Sequence, residues 1–373
     1  MDVFQYLLLF LYIFFIIRNY KSFMEGGTNY ILISFTTILS VYLLCGSSVA
    51  DLDMDITGLD ISGYRTIYEY TDALEHEDFK MYYIFYSMMS LGQHLQLSYR
   101  MWWAAMSIMA LFVVFCACRI HRYNYCLFLA AFMAYHELIF YSGIKFFYGF
   151  CFLLFAYGFL LRNTRKGLFL FSIFVCIAGG FHIMYYFFLA FIIKPIHQPK
   201  YIIKAVVVAT IALTVMIRVS GSAMAYMAPF FDAFDNEHIN LYTDAIVRNG
   251  FYLAVFIHSI VYYVVRSIKK QKLLENINPI ALNSIYDTVL ISFIFFPFYA
   301  VTLTFMRLIT AFSLIVVTAS SSVMSDDYKS RKMCVRLSLV VALSFHFIQF
   351  LTSIGAERGF YRASVMPFFN VIH

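Results

Sequence analysis

Apolar stretches about one bilayer thick recur along the whole chain. They are Val3–Ile17, Tyr30–Val49, Tyr99–Cys118, Tyr123–Tyr141, Phe146–Leu161, Tyr201–Ile217, Gly250–Val265, Ile285–Leu303, Leu308–Met324 and Val335–Ser353. A helix crossing a ~30 Å hydrocarbon core needs ~20 such residues. No strand-like alternation of apolar and polar residues runs through them, which excludes a membrane barrel and leaves helices to satisfy the backbone internally. Only 13% of the residues are charged and 62% are hydrophobic, whereas a soluble domain is roughly a quarter charged. The sequence therefore predicts an all-α fold, a polytopic membrane helical bundle of about ten full spans. No polar stretch is long enough to bury a core of its own, so residues 1–373 read as a single integral membrane domain with outer loops at 51–98 and 220–249.

The net charge of +6 is not a nucleic-acid signature, because the lysines and arginines sit in short loops between spans and set orientation. Arg18 and Lys21, Arg119 and Arg122, Arg162 with Arg165 and Lys166, the group from Arg266 to Lys272, and Lys329 with Arg331 and Lys332 all follow spans. These belong on the cytoplasmic side. The loops between them, Asp51–Lys80, Ser142–Lys145, Ser220–Asn249 and Thr304–Met306, are acidic or nearly bare and belong outside, with both termini. Val3–Ile17 lacks a small-residue cleavage site and reads as a retained span. Cys116, Cys118, Cys126, Cys151 and Cys176 lie in apolar runs and read as small buried hydrophobes.

One segment breaks the alternation. Gly167–Ile193 carries no formal charge and is followed by Lys194, Lys200 and Lys204. A bend at Gly179-Gly180 gives two arms of ~20 Å, each too short to cross. The reading adopted is a broken or re-entrant helical pair with His182 near its tip, since broken backbone at membrane depth is tolerated where it lines a cavity.

Ionisable groups beside so much apolar sequence are costly and mark candidate sites. Lys145 starts a span after a very short outer loop, where it either snorkels or binds an anion. Arg307 interrupts an uncharged run from Thr288 to Ser325, and a guanidinium grips phosphate through two parallel hydrogen bonds. His182 follows Gly-Gly-Phe and is either a satisfied bundle histidine or a functional one. Glu137 lies just below the outer surface beside His136, in a sequence that is not a zinc-protease motif. Asp60, Tyr64 and Tyr68 are spaced four apart in DISGYRTIYEY, on one helix face. A carboxylate with two rings can hold a sugar. Asp51, Asp53 and Asp55 read as a solvated acidic loop rather than a metal site. Phe79–Gln93 reads as a short amphipathic helix on the outer surface. His258 and His346 read as polar groups of the bundle.

In their order, Asp60-x-x-x-Tyr64, Ser142-Gly143-Ile144-Lys145, Ala178-Gly179-Gly180-Phe181-His182 and Phe305-Met306-Arg307 resemble segments of bacterial exopolysaccharide and O-antigen repeat-unit polymerases. The type is Wzy, and the branch is the EpsG-like one. Lys145 departs from that branch, where arginine is usual. The resemblance implies a bundle similar to multi-span lipid-phosphosugar glycosyltransferases (GT-C-like), without a cofactor or obligatory metal, in the bacterial cytoplasmic (inner) membrane. It implies glycosyl transfer on the outer face between undecaprenyl pyrophosphate-linked repeat units. Asp60, His182 and Arg307 would then be catalytic, and Lys145, Tyr64, Tyr68 and Glu137 would bind substrate. The implied partners are the lipid-linked oligosaccharide donor and acceptor, membrane lipid and a chain-length regulator protein, with no nucleic acid. A flippase for lipid-linked glycan and a membrane acyltransferase stay open as alternatives.

Overall fold

In a computed structural model the described residues are 3–27, 29–45, 60–136, 143–193, 200–220, 250–270, 279–301, 305–324 and 328–353. Among them there is no strand. The α-helices, in chain order, are α1 Val3–Met24, α2 Tyr30–Cys45, α3 Asp60–Tyr70, α4 Tyr83–His94, α5 Tyr99–His121, α6 Tyr125–Ala131, α7 Ile144–Leu161, α8 Arg165–Phe181, α9 Lys200–Ser220, α10 Gly250–Lys270, α11 Pro279–Ile291, α12 Phe296–Val301, α13 Met306–Met324 and α14 Tyr328–Ser353. A π-helical turn, Phe132–His136, follows α6. The fold is a polytopic membrane helical bundle. Five helical segments among the described residues are long and apolar enough to cross by themselves: Tyr6–Met24, Tyr99–His121, Ile144–Leu161, Ile280–Tyr299 and Met306–Val323. Tyr30–Leu44, Tyr125–Tyr135, Ile183–Ile193 and Ile203–Met216 are shorter apolar helices. The expected outer loop 220–249 lies outside the described residues beyond Ser220.

The chain divides into two compact units, Met1–Tyr186 with Leu314–His373, and Phe187–Ser313. In the first, α7 is the central helix, with nearly every residue buried. The outward faces of α1 and α2 are apolar instead. Phe10, Ile13, Phe14 and Ile17 on α1, and Ile31, Phe35 and Ile38 on α2, are exposed at helical spacing. In water such stripes would be covered; in a bilayer they face acyl chains, which are as apolar as they are. Local chemistry fixes the helix starts. Ser98, Asn124 and Thr164 are N-caps whose side chains accept from the N–H groups of Met101, Leu127 and Gly167, satisfying donors that no helical carbonyl reaches.

The expected bend at Gly179-Gly180 is absent. Helix α8 runs through both glycines to Phe181, and the chain leaves the helix at His182, whose backbone is extended at φ −153°, ψ 117°. The glycines serve close packing instead. A Cβ on Gly179 would lie 2.5 Å from the Tyr186 ring, and one on Gly180 would lie 2.6 Å from Ile84. Glycine lacks the side chain that would hold these neighbours off. Helix α8 returns antiparallel to α7. Tyr185, just past its end, donates its hydroxyl to the carbonyl of Phe146 in the first turn of α7 and stacks on the Phe146 ring at 4.8 Å. At 17 residues, α8 (Arg165–Phe181) is ~26 Å long; the expected broken pair is present with His182 at its break, just past the glycine pair rather than at it. A 3-10 helix, Ile183–Ile193, follows.

In the second unit, Phe187 packs on Phe298 and Phe305, and Phe188 and Phe191 pack on Phe295 and Phe312. His258 is fully buried, with Nε2 2.6 Å from Ser292 Oγ and Nδ1 3.2 Å from the Tyr299 hydroxyl. It is a satisfied bundle histidine, as its sequence context predicts. In the first unit His346 reaches the carbonyl of Ala134 at 2.7 Å, and the same reading holds. The cysteine reading holds for Cys118, Cys126 and Cys151, which are buried; Cys116 is half-buried, and Cys176 is exposed. Cys176 sits on the outward side of α8, where an apolar run turns one face to lipid rather than to the core.

Candidate functional site

Lys145 is the second residue of α7 and is 9% exposed. A buried ammonium needs compensation for lost hydration. Here aromatic rings surround it. Its Nζ lies 3.9 Å from the centroid of Tyr82, 4.9 Å from Tyr64, 5.5 Å from Tyr86 and 5.7 Å from Phe85. All four distances fall within the ~6 Å over which a ring's negative face attracts a cation. The rings come from two short helical elements that pack on α7. Tyr64 is on α3, and Tyr82, Phe85 and Tyr86 lie at the start of α4.

Each wall of this cage is itself held. Tyr64 meets the edge of Phe85 at 5.5 Å, and Phe85 stacks on Tyr148 of α7 at 6.4 Å. His76 stacks on Tyr86 at 4.7 Å, and its Nδ1 accepts from the N–H of Asp78. On the back of the assembly, Tyr68 donates its hydroxyl to the carbonyl of Leu97 and packs on Trp102 and Tyr99. Gln93 of α4 donates to the carbonyls of Tyr68 and Thr71. Helix α3 is thereby fastened to α4, which fixes Tyr64 relative to Tyr82. Phe79–Gln93 is accordingly more than a surface helix. Phe85, Tyr86 and Met89 on its inner face are buried.

His182 adjoins the cage. Its ring centroid is 5.4 Å from Tyr82 and 5.3 Å from Phe146, and it is 6% exposed. Tyr82 thus touches both the lysine and the histidine. The N–H of Met184 donates to His182 Nδ1 at 3.3 Å. An accepting Nδ1 places the proton of the neutral ring on Nε2, so Nε2 is a donor. Such a histidine is suited to hold an anionic oxygen and poorly suited to accept a proton there.

Of the residues singled out in the sequence, the structure brings Lys145, Tyr64 and His182 into one cluster. Tyr68 supports that cluster from behind through packing and its bond to Leu97. Asp60 opens α3, one turn before Tyr64; its side chain lies outside the described residues, as do Glu137 and the acidic stretch Asp51–Asp55. Arg307 is the second residue of α13, half-buried, in the other unit. The sequence reading missed Tyr82, Phe85, Tyr86 and His76. Their signal was the aromatic density of the amphipathic run after Phe79, which by itself reads as packing. Among the described residues no group of three or more His, Cys, Asp or Glu is placed to hold a metal ion.

A family model described as the EpsG family matches residues 47–365. No curated protein and no solved structure matches the chain.

Proposed function

The chain belongs to the EpsG family, and from that premise we propose that it polymerises undecaprenyl pyrophosphate-linked oligosaccharide repeat units into an extracellular polysaccharide or O-antigen. The proposed place is the outer face of the bacterial cytoplasmic membrane. The observation that carries this reading is the caged ammonium of Lys145 with His182 on the shared Tyr82 ring. Here one fixed cation and one N–H donor share mostly apolar surroundings. That combination suits a pyrophosphate attached to a lipid, since the anion needs fixed donors and the lipid needs an apolar surround.

In the proposed reaction an acceptor sugar hydroxyl attacks the anomeric carbon of the donor glycan. A carbon–oxygen bond forms, and the bond from that carbon to the lipid pyrophosphate breaks. The pyrophosphate leaves with the bonding electron pair. Lys145 stabilises the charge that develops on it, and His182 Nε2 donates a hydrogen bond to a phosphate oxygen. The hydroxyl proton passes to the carboxylate of Asp60 or to water. Tyr64 serves as both cage wall and sugar platform. Arg307, in the other unit, is proposed as a phosphate-binding cation on its chemistry alone.

The test is ladder formation by purified protein supplied with lipid-linked repeat units. Removing a transition-state charge donor costs ~10²–10³ in rate, so Lys145→Ala should leave single units and no ladder at normal protein levels. Lys145→Arg should retain polymer, because the charge stays and a guanidinium also stacks on aromatic faces. Normal ladders from Lys145→Ala would remove the lysine from the chemistry. Asp60→Asn should abolish polymer while Asp53→Asn leaves it; equal loss at both would point to a metal held by the acidic loop.

A further inference from the structure

Helix α7 is 18 residues, so its far end is ~25 Å from Lys145, close to one hydrocarbon thickness. Arg162 follows that end. His121, the last residue of α5, packs there on Phe155 and Phe159. Just beyond it is a cavity of about 240 Å³ whose walls include Tyr30, Ile33, Arg119, Arg122, Tyr123 and Asn124. None of its lining residues is acidic.

We propose that this cavity binds the phosphate of an anionic phospholipid headgroup, a second site unrelated to the polymerising one. Three observations carry the proposal. First, two guanidiniums line one small cavity, and guanidinium matches phosphate with paired N–H donors. Arg122 holds its place with φ 58°, closing α5 through its N–H to the carbonyl of Cys118. That left-handed backbone favours glycine or asparagine, so arginine stands there against the local preference.

Second, Tyr123 is 5% exposed, and its hydroxyl has no hydrogen-bond partner among the described residues. That hydroxyl is sealed from any entering group, so Tyr123 offers the cavity its ring, and the neutral donor at this wall comes from Asn124. Asn124 already uses its backbone N–H on Ser321 and its side-chain oxygen on the N–H of Leu127. Its amide nitrogen is the remaining side-chain donor.

Third, the cavity lies where lipid-facing surfaces end. Helix α2 begins at Tyr30 and then exposes Ile31, Phe35 and Ile38; on α5, Ile108 and Phe112 are exposed. Acyl chains lying on these faces would bring a headgroup to the cavity. Basic pockets between helices at the cytoplasmic level are where anionic headgroups bind.

The experiment measures phospholipid retained by the full chain, reconstituted in phosphatidylcholine vesicles containing phosphatidylglycerol and then analysed by native mass spectrometry. Wild type should retain phosphatidylglycerol in preference to phosphatidylcholine. Arg119→Gln with Arg122→Asn should weaken retention about 30-fold, with each arginine contributing about fivefold. Asparagine is used at position 122 because it accepts the left-handed backbone. Tyr123→Phe keeps the ring that lines the cavity and should change retention by less than about twofold, since the sealed hydroxyl does not meet the headgroup. Arg165→Gln with Lys166→Gln, at the same end but outside the cavity, should change it by less than about twofold. Equal retention by wild type and the Arg119/Arg122 variant, or an equal loss in the Arg165/Lys166 control, would overturn the site. Inorganic phosphate should displace the lipid only in large excess; displacement as ready as by phosphatidylglycerol would overturn the lipid assignment. Polymer ladders are not the readout, so the result is independent of the polymerase reading.

Discussion

The two ends of α7 handle positive charge in opposite ways. At the first turn a single ammonium, Lys145, is enclosed by Tyr64, Tyr82, Phe85 and Tyr86. At the last turn the cations are several and open. Arg162 is exposed, lies 4.9 Å from the Phe159 ring and reaches His121 Nδ1 at 3.5 Å, while Arg119 and Arg122, on either side of His121, and Arg165 are exposed too. An enclosed charge is little screened and acts at one position. Open charges make a field, screened by salt, that orients the protein and gathers anions. On the proposed reading the same residue class does chemistry at one end and placement at the other.

The sharpest break between the ends is expected in rate. Lys145→Ala should cost ~10²–10³ in polymerisation. Arg162→Gln, removing one open cation, should cost less than about twofold, as an exposed charge is largely screened. Ladders measured side by side for the two variants decide the matter. If Arg162→Gln is as damaging as Lys145→Ala, enclosure is not what distinguishes the ends.

A smaller effect is expected from the cage wall that Lys145 and His182 share. Tyr82→Phe keeps the ring face and should polymerise nearly as wild type. Tyr82→Leu removes it and should cost about tenfold, within the range of a desolvated cation–π contact. Because the leucine variant leaves the lysine in place but without its nearest ring, the modification rate of Lys145 by an amine reagent should rise, read on its own peptide. A leucine variant with wild-type activity and unchanged Lys145 reactivity would show that the rings are packing alone.

The cation and one of its rings were legible in the sequence because each carried a local mark. Lys145 is a charge at the edge of an apolar span, and Tyr64 is four residues from Asp60 on a helix face. His258 and His346 were legible for the converse reason, since lone histidines inside apolar helices are usually satisfied there. Tyr82, Phe85 and Tyr86 had no such mark. Their role exists only because α4 folds over the start of α7, bringing together residues some sixty positions apart, and aromatic content alone does not distinguish a cage from a core. The glycine pair misled because glycine has two physical uses, bending and close approach, and sequence shows the residue without the neighbour. Ile84, Tyr83 and Tyr186 are the neighbours that decide for close approach.

The packing that supports the enclosed end should also be the less tolerant. A Cβ on Gly149 would lie 2.4 Å from the Tyr185 ring and 2.8 Å from the Ala178 carbonyl oxygen, and one on Gly27 would meet nothing within 4 Å. The backbone oxygen cannot swing aside. Gly149→Ala should destabilise by about 1–3 kcal/mol through overpacking, whereas Gly27→Ala should shift the unfolding midpoint very little. Thermal unfolding in detergent measures both. Equal midpoints would mean that Tyr185 is loosely held, and with it the clamp on the first turn of α7.

The smallest expected effect is the response to salt, and it compares the two ends in one sample. Raising ionic strength from about 0.1 M to about 1 M shortens the screening length from ~10 Å to ~3 Å. Exposed guanidiniums lose most of their reach over that range, so retention of phosphatidylglycerol should fall several-fold. Lys145 is 9% exposed and walled by rings, and buried charges are screened much less. Polymerisation per bound donor should therefore change by less than about twofold over the same range. The rate must be taken at saturating donor, so that weaker encounter of an anionic substrate is not counted as weaker chemistry. A saturated rate that falls in step with lipid retention would show that salt reaches Lys145, and that the four rings do not close around it in the working protein.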